Sequence, residues 1–140
     1  MIILDTNVLS EVMASSPAPS VLEWVSKQRL ADDLFVTAIT VAEILYGIEL
    51  LPKGKRHEKL LLEAEAMFAE DFNRRILPFD EPAARIFGKI AATRRSQGRP
   101  IATLDAQIAS IARTNGATLA TRNAADFEGC GVRLVNPWDD

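Results

Sequence analysis

From one end of the chain to the other, short aliphatic runs alternate with longer stretches in which apolar residues recur every three to four positions. A strand buried on both faces reads as a continuous apolar run, whereas a helix lying on a sheet shows a single apolar stripe. Their alternation predicts an α/β fold with a largely parallel sheet. Strands are expected at residues 2–5, 34–37, 75–78, 118–121 and 132–135, and helices at 6–13, 20–28, 41–51, 56–72, 82–97 and 104–115. Gly98 and Gly116 fall where left-handed helix ends take glycine. Pro17 and Pro19 separate the first two helices, and Pro52-Lys53-Gly54-Lys55 turns one helix back on the next as a helical hairpin.

With 140 residues, 48% hydrophobic and 25% charged, residues 1–140 suit one domain around one core. A chain of this size buries enough surface to fold without a disulfide or structural metal, so any metal would serve chemistry. Cys130 is the only cysteine and no Cys/His cluster exists, which excludes a zinc site and fits a reducing, cytoplasmic setting. Met1 leads directly into Ile2-Ile3-Leu4 without the pattern of a signal peptide, and charges interrupt every apolar stretch before it could span a bilayer. A soluble protein with no membrane partner is expected. The net charge of -3 argues against holding nucleic acid by bulk electrostatics, yet an acidic active site would itself lower the total.

In a parallel sheet, the residues just after each strand share one rim, where open α/β folds bind ligands. Asp5 ends the first expected strand, Glu43 opens the helix after the second, Asp105 opens the last long helix, and Asp126 follows the strand at 118–121. Each has a local explanation. Asp5 could cap the helix starting at Thr6, Thr40-Val41-Ala42-Glu43 matches a capping box, Asp105 could favour a helix dipole behind a Thr103 cap, and Asp126 could cap a helix. Those explanations leave the convergence on one rim unaccounted for. Clustered carboxylates repel unless they share protons or a cation, and hard oxygen donors suit Mg²⁺ or Mn²⁺. Phosphodiester hydrolysis is the chemistry that follows. Asp80-Glu81-Pro82 is a competing acid pair, but its spacing is that of an N-cap with proline in the first helical turn.

Local motifs sharpen this reading. Ile2-Ile3-Leu4-Asp5-Thr6-Asn7-Val8-Leu9-Ser10-Glu11, then Ala38-Ile39-Thr40-Val41-Ala42-Glu43-Ile44-Leu45-Tyr46-Gly47, Ile76-Leu77-Pro78-Phe79-Asp80, Thr121-Arg122-Asn123 with Asp126-Phe127, and Val135-Asn136-Pro137-Trp138 occur in order. Together they resemble the PIN-domain ribonucleases, particularly the virulence-associated and FitB-like toxins of bacterial toxin–antitoxin pairs. The resemblance implies a three-layer sandwich, a homodimer, a divalent ion held by acids, endonucleolytic cleavage of RNA, and a small antitoxin that could reach the acidic rim with Arg or Lys. Carried over by motif, Asp5 would bind metal, Glu43 would bind it or orient its water, and Asp105 would complete the group. A fourth acid stands in this family either right after Thr-Arg or in the Asp-Phe pair. Here the first position is Asn123, whose neutral oxygen attracts a cation less, so the burden shifts to Asp126. Thr6, Asn7 and Thr121 would sit near the metal water or a phosphate, or else serve caps and turns.

RNA positioning would fall to Lys89, Arg94, Arg95 and Arg99 near the end of one helix, or to Arg122, unless these are solvated helix-end charges. His57, the only histidine, lies in a basic turn and is expected to be exposed and unneeded as a general base. Trp24, Tyr46 and Trp138 suit core or dimer contacts better than a base-stacking platform. Two alternatives stay open beside a DNA flap nuclease, whose additional arch and DNA-binding elements a chain of this length is too short to carry. One is a noncatalytic PIN-like binding module. The other is a phosphatase or receiver-like domain, although a receiver should carry an acid pair after its first strand and a late lysine where this chain has Asp5-Thr6-Asn7 and Thr121-Arg122.

Overall fold

The computed structural model describes residues 1–31 and 33–139. In chain order the elements are β1 (Ile2–Leu4), α1 (Thr6–Met13), α2 (Pro19–Leu30), β2 (Leu34–Thr37), α3 (Ala38–Glu49), α4 (Lys55–Glu70), β3 (Ile76–Leu77), α5 (Glu81–Ser96), α6 (Thr103–Thr114), β4 (Thr118–Ala120), a 3₁₀ turn (Ala124–Phe127) and β5 (Arg133–Val135). The five strands form one sheet in the order β3-β2-β1-β4-β5, and every pairing in it is parallel. β1 is central, with Ile2 and Ile3 opposite Leu34 and Phe35 on one side and Thr118 and Leu119 on the other.

Because successive side chains of a strand point to opposite faces, β1, β2, β4 and β5 each feed two cores. Leu4, Leu34, Val36 and Ala120 pack with α1 to α4, whereas Ile3 and Leu119 pack with α5 and α6. The result is the expected α/β sandwich of helix, sheet and helix. Each fully buried Ile or Leu in these cores contributes roughly 1.5–3 kcal/mol. α3 and α4 return on each other through Ile44, Ile48 and Ala64, as the turn at Pro52 to Lys55 predicts.

Helix ends follow local chemistry. Asp80 Oδ1 accepts from the Ala83 amide at 3.2 Å with Pro82 in the first turn, so the Asp80-Glu81 pair is structural, and Glu81 pairs with Arg85. Gly98 and Gly116 take φ of 71° and 62° just past α5 and α6.

Three expectations about helix starts are corrected. Thr37, the last residue of β2, is itself the N-cap of α3 and accepts from the Thr40 amide at 3.1 Å, so no loop separates strand from helix. Thr40 and Glu43 therefore form no capping box, and Glu43 lies in the second turn. Thr103 is the first residue of α6, behind an Ala102 cap without a side-chain bond. Asp126 lies inside the 3₁₀ turn rather than at its cap, which is Asn123. Among the described residues no helix is long and apolar enough to cross a membrane.

Candidate active site

Strand order reverses at β1, with β2 and β3 on one side and β4 and β5 on the other. Such a switch point opens a crevice beyond the carboxyl ends of the strands. The residues at those ends of β1 and β4 are Asp5 and Thr121. An open cavity of about 470 Å³ lies there, lined by Asp5, Thr6, Asn7, Glu43, Asp105, Asn123 and Asp126 together with Ser10, Glu11 and Phe127. Thr121 lies beneath it, fully buried.

Asp5 does cap α1, accepting from the Thr6 amide through Oδ1 at 2.8 Å. The cap uses only one oxygen. Oδ2 accepts from Thr121 Oγ1 at 2.7 Å and, more weakly, from Asn7 Nδ2 at 3.3 Å. Thr121 Oγ1 accepts in turn from Asn7 Nδ2 and the Asn123 amide, and Asn7 Oδ1 accepts from the Arg122 amide. Asp5 is only 5% exposed. Burial raises its carboxyl from 3.8 to about 6, against the lowering effect of the Thr121 and Thr6 bonds, with Asp105 and Glu43 adding like-charge repulsion.

Glu43 is reached by a chain of hydroxyls. Thr6 Oγ1 donates to Glu43 Oε1 at 2.8 Å. A hydroxyl has one proton, so in its 3.0 Å contact with Thr40 Oγ1 it accepts. Thr37 Oγ1 lies behind, donating to Thr40 Oγ1 at 3.5 Å. Side chains on a helix tilt toward its N-terminus, which lets Glu43 reach the rim from the second turn of α3. Asp105 stands in the first turn of α6. Its carboxyl is raised above the usual range by burial first, then by Asp126 and Glu43.

The donor set is hard oxygen, and mutual repulsion is already visible in Asp5 and Asp105. A cation would relieve it. Among the described residues no trio of acidic, histidine or cysteine side chains closes around one point as a bare-ion cage would. The cavity is open and water-accessible, which fits an ion such as Mg²⁺ that binds through one or two carboxylates and keeps several waters.

Not every sequence expectation holds. Arg94 is 4% exposed and bonds to backbone carbonyls, so it is neither a solvated charge nor an RNA contact. Arg99 pairs with Glu128 at 3.1 Å, and the Arg122 guanidinium lies 5.0 Å from the centre of the Trp138 ring. His57 is not exposed. The first turn of α4 folds back on α3 and sets its Nε2 3.4 Å from Glu49 Oε1, with its side chain 13% exposed. Trp24 is in the core, while Tyr46 is 66% exposed.

Sequence reasoning missed Ser10 and Glu11 as cavity-lining residues. Thr6 and Ser10, and Asn7 and Glu11, are four apart on α1, a spacing that puts them on neighbouring stripes of one face. Glu11 also accepts from the Ala18 amide at 2.8 Å, tying the start of α2 to the rim.

The profile described as PIN domain matches residues 2–128. The chain belongs to the PIN-domain family. Toxin FitB of Neisseria gonorrhoeae is 40% identical over 100% of both chains. VapC ribonuclease Y4jK of Sinorhizobium fredii is 37% identical over 99% of both. The crystal structure of FitAcB from Neisseria gonorrhoeae superposes with a TM-score of 0.92 at 39% identity, covering 99% of each chain. A PIN domain sets aside the receiver-like alternative, and the parallel five-stranded sheet described above is the PIN fold in this chain.

Proposed function

We propose that this PIN domain, acting through residues 1–140 as one unit, is a divalent-metal-dependent endoribonuclease and the toxin of a toxin–antitoxin pair. The observation that carries the reading is the open cavity at the switch point, where Asp5, Glu43, Asp105 and Asp126 face one space. The relatives named as a toxin and as a ribonuclease support RNA as substrate and growth inhibition as outcome.

Asp5, Asp105 and Asp126 would hold Mg²⁺ or Mn²⁺, with Glu43 as a further ligand or as the group orienting water. When bound, such an ion acidifies water and stabilises charge developing on a phosphoryl oxygen. The protein's part is preorganisation. Three donors fix the Asp5 carboxylate before substrate arrives, and the Thr6 hydroxyl holds Glu43 Oε1, while among the described residues no donor occupies Oε2, which would take a proton from attacking water. Thr6, Asn7, Thr121 and Asn123 act by aiming these acids rather than by reacting. Water attacks phosphorus as its proton passes to Glu43, the bond to the leaving oxygen breaks, and that oxygen departs with a proton taken from bulk water. A phosphodiester carries its own negative charge into an acidic cavity, which is a further reason for a cation there.

Tyr46 on α3, Leu50 at the C-cap of that helix and Leu62 on α4 are all more than 60% exposed. Their apolar surface supports contacts with other proteins, both a homodimer and a small antitoxin. A cytoplasmic location fits the free, buried Cys130.

The test is cleavage mapping on total RNA with Mg²⁺, Mn²⁺ or chelator, run beside Asp5→Asn. Cleavage should require the ion and vanish in the variant. Full activity in folded Asp5→Asn would sink the carboxylate mechanism.

A further inference from the structure

Arg94, near the end of α5, bridges two segments that each carry a cavity acid. Its Nη1 donates to the carbonyls of Asp126 at 2.7 Å and Glu128 at 3.1 Å, and its Nε donates to the carbonyl of Arg99 at 2.8 Å. Nη1 also lies 3.6 Å from Cys130 Sγ. The backbone closes the loop, since the Arg99 amide donates to the Arg94 carbonyl at 2.9 Å. From Arg99 the chain runs through Pro100, Ile101 and Ala102 into α6 and Asp105. The other segment is the 3₁₀ turn holding Asp126. Arg99 braces that turn from outside, its Nη2 donating to Ala125 O at 3.2 Å and Glu128 Oε2 at 3.1 Å.

Burying a guanidinium is costly unless its donors are met, and only a planar fork can serve two segments at fixed separation. The chain is shaped to meet it. Gly129, at φ 79°, lets the backbone curl past, and a Cβ there would sit 3.3 Å from Gln97 Oε1 and 3.9 Å from Arg94 Cδ. A cleft of about 250 Å³ is lined by Arg94, the 100–102 segment, Asp105 and Asp126, so Arg94 and both acids border one space. Asp105 and Asp126 repel each other, and among the described residues no donor reaches either carboxylate.

We propose that Arg94 is a positioning residue whose guanidinium, braced by Arg99, fixes the spacing of Asp105 and Asp126 so that both serve one divalent cation. The inference rests on the proposed role of those acids, and the experiment separates the two. Full-length wild type, Arg94→Lys, Arg99→Met, Asp126→Asn and the double variant Arg94→Lys/Asp126→Asn are compared by calorimetric Mn²⁺ titration, by kcat and KM on an RNA oligonucleotide, and by urea unfolding.

Arg94→Lys should weaken Mn²⁺ binding about 10- to 100-fold and lower kcat with KM for RNA nearly unchanged, because Arg94 is buried away from substrate. The double variant should be no worse than Asp126→Asn, since residues acting through one another are not additive. Wild-type Mn²⁺ affinity in Arg94→Lys, or losses that multiply in the double variant, would overturn the proposal while leaving the site reading intact. Asp126→Asn with undiminished Mn²⁺ binding and cleavage would overturn both. Should Arg94→Lys fail to fold, the exposed Arg99→Met decides. A few-fold weaker Mn²⁺ binding supports the clamp, and unchanged binding rejects it.

Discussion

The two sides of the acid cavity are held by different means. On the β1 side, Asp5 and Glu43 are gripped at their carboxylates, by the Thr6 amide, Thr121, Asn7 and the Thr6 hydroxyl. On the α6 side, the carboxylates of Asp105 and Asp126 accept no bond among the described residues, and order comes through the main chain that Arg94 ties down. The first side aims its acids, and burial there raises the Asp5 carboxyl. The second leaves its acids free to turn and controls only where they start. Changes at Asp5 should therefore move chemistry, pH response and stability together, whereas changes on the second side should move metal binding, and cleavage with it, at little cost in stability.

Asp5→Asn tests the first half of that contrast most severely. RNA cleavage should fall by at least about 10²- to 10³-fold, the range for deleting a preorganised charge-stabilising group. The metal-free protein should become more stable at pH 8. The sign follows from the carboxyl's displacement from 3.8 to about 6. Between those values the native state holds a proton that the unfolded chain has released, so stability falls as pH rises through this window. Above it, the charged buried carboxylate costs up to about 3 kcal/mol. The difference in urea-unfolding free energy between wild type and Asp5→Asn, measured in EDTA, should shrink as pH drops from 7 toward 4. A pH-independent difference would break the link between burial and ionisation on this side.

Asp105→Asn and Asp126→Asn should each lower cleavage by about 10- to 100-fold and weaken Mn²⁺ binding in proportion. The urea midpoint of Asp126→Asn should stay close to wild type, because its carboxylate bonds to nothing in the fold among the described residues, and that of Asp105→Asn should not fall, because burial and the neighbouring acids hold the Asp105 carboxyl above its usual range. A large stability loss in Asp126→Asn would erase the distinction between the two sides.

How much of this could be read beforehand depends on whether a residue's role is written locally. The strands and the Asp5-Thr6-Asn7 motif were legible because an apolar run ending in an acid is a local pattern. Thr37 was not legible as a cap, since it belongs to β2 and nothing in the sequence says that strand and helix share a residue. The chain from Thr37 through Thr40 and Thr6 to Glu43 joins residues more than thirty positions apart. Register alone brings them together. Arg94 did leave a trace. It follows Ala83 and Ile90 at helical spacing on the buried face of α5, so the apolar stripe passes through a cation, which marks a charge with buried partners rather than a solvated one. The 3₁₀ turn carrying Asp126 left none, being too short to have a period.

Thr121→Val sharpens the contrast at intermediate scale. It removes the 2.7 Å donor to Asp5 Oδ2, one of the effects holding that carboxyl down. The acidic limb of the pH–rate profile should move to higher pH, with a stability cost of about 1–2 kcal/mol for the lost buried hydrogen bond. Thr40→Val, which shortens the hydroxyl chain behind Thr6, should leave that limb in place. A shift in Thr40→Val and none in Thr121→Val would reverse the assignment of which hydroxyl governs Asp5.

The smallest effect belongs to His57, and its smallness is informative. Histidine is the side chain most often used as a general base near neutral pH, and this one is less exposed than its basic surroundings suggest. Yet its partner among the described residues is Glu49, which it pairs with ionically only when protonated and which is itself 61% exposed at the far end of α3, and His57 does not line the acid cavity. An ion pair with so exposed a partner contributes under about 1 kcal/mol. His57→Gln should therefore leave kcat, KM and the shape of the pH–rate profile unchanged, and move the urea midpoint only slightly. If instead a limb of the profile near neutrality disappeared in this variant, proton transfer would not belong to the carboxylates. Both sides of the cavity would then be serving a base outside it.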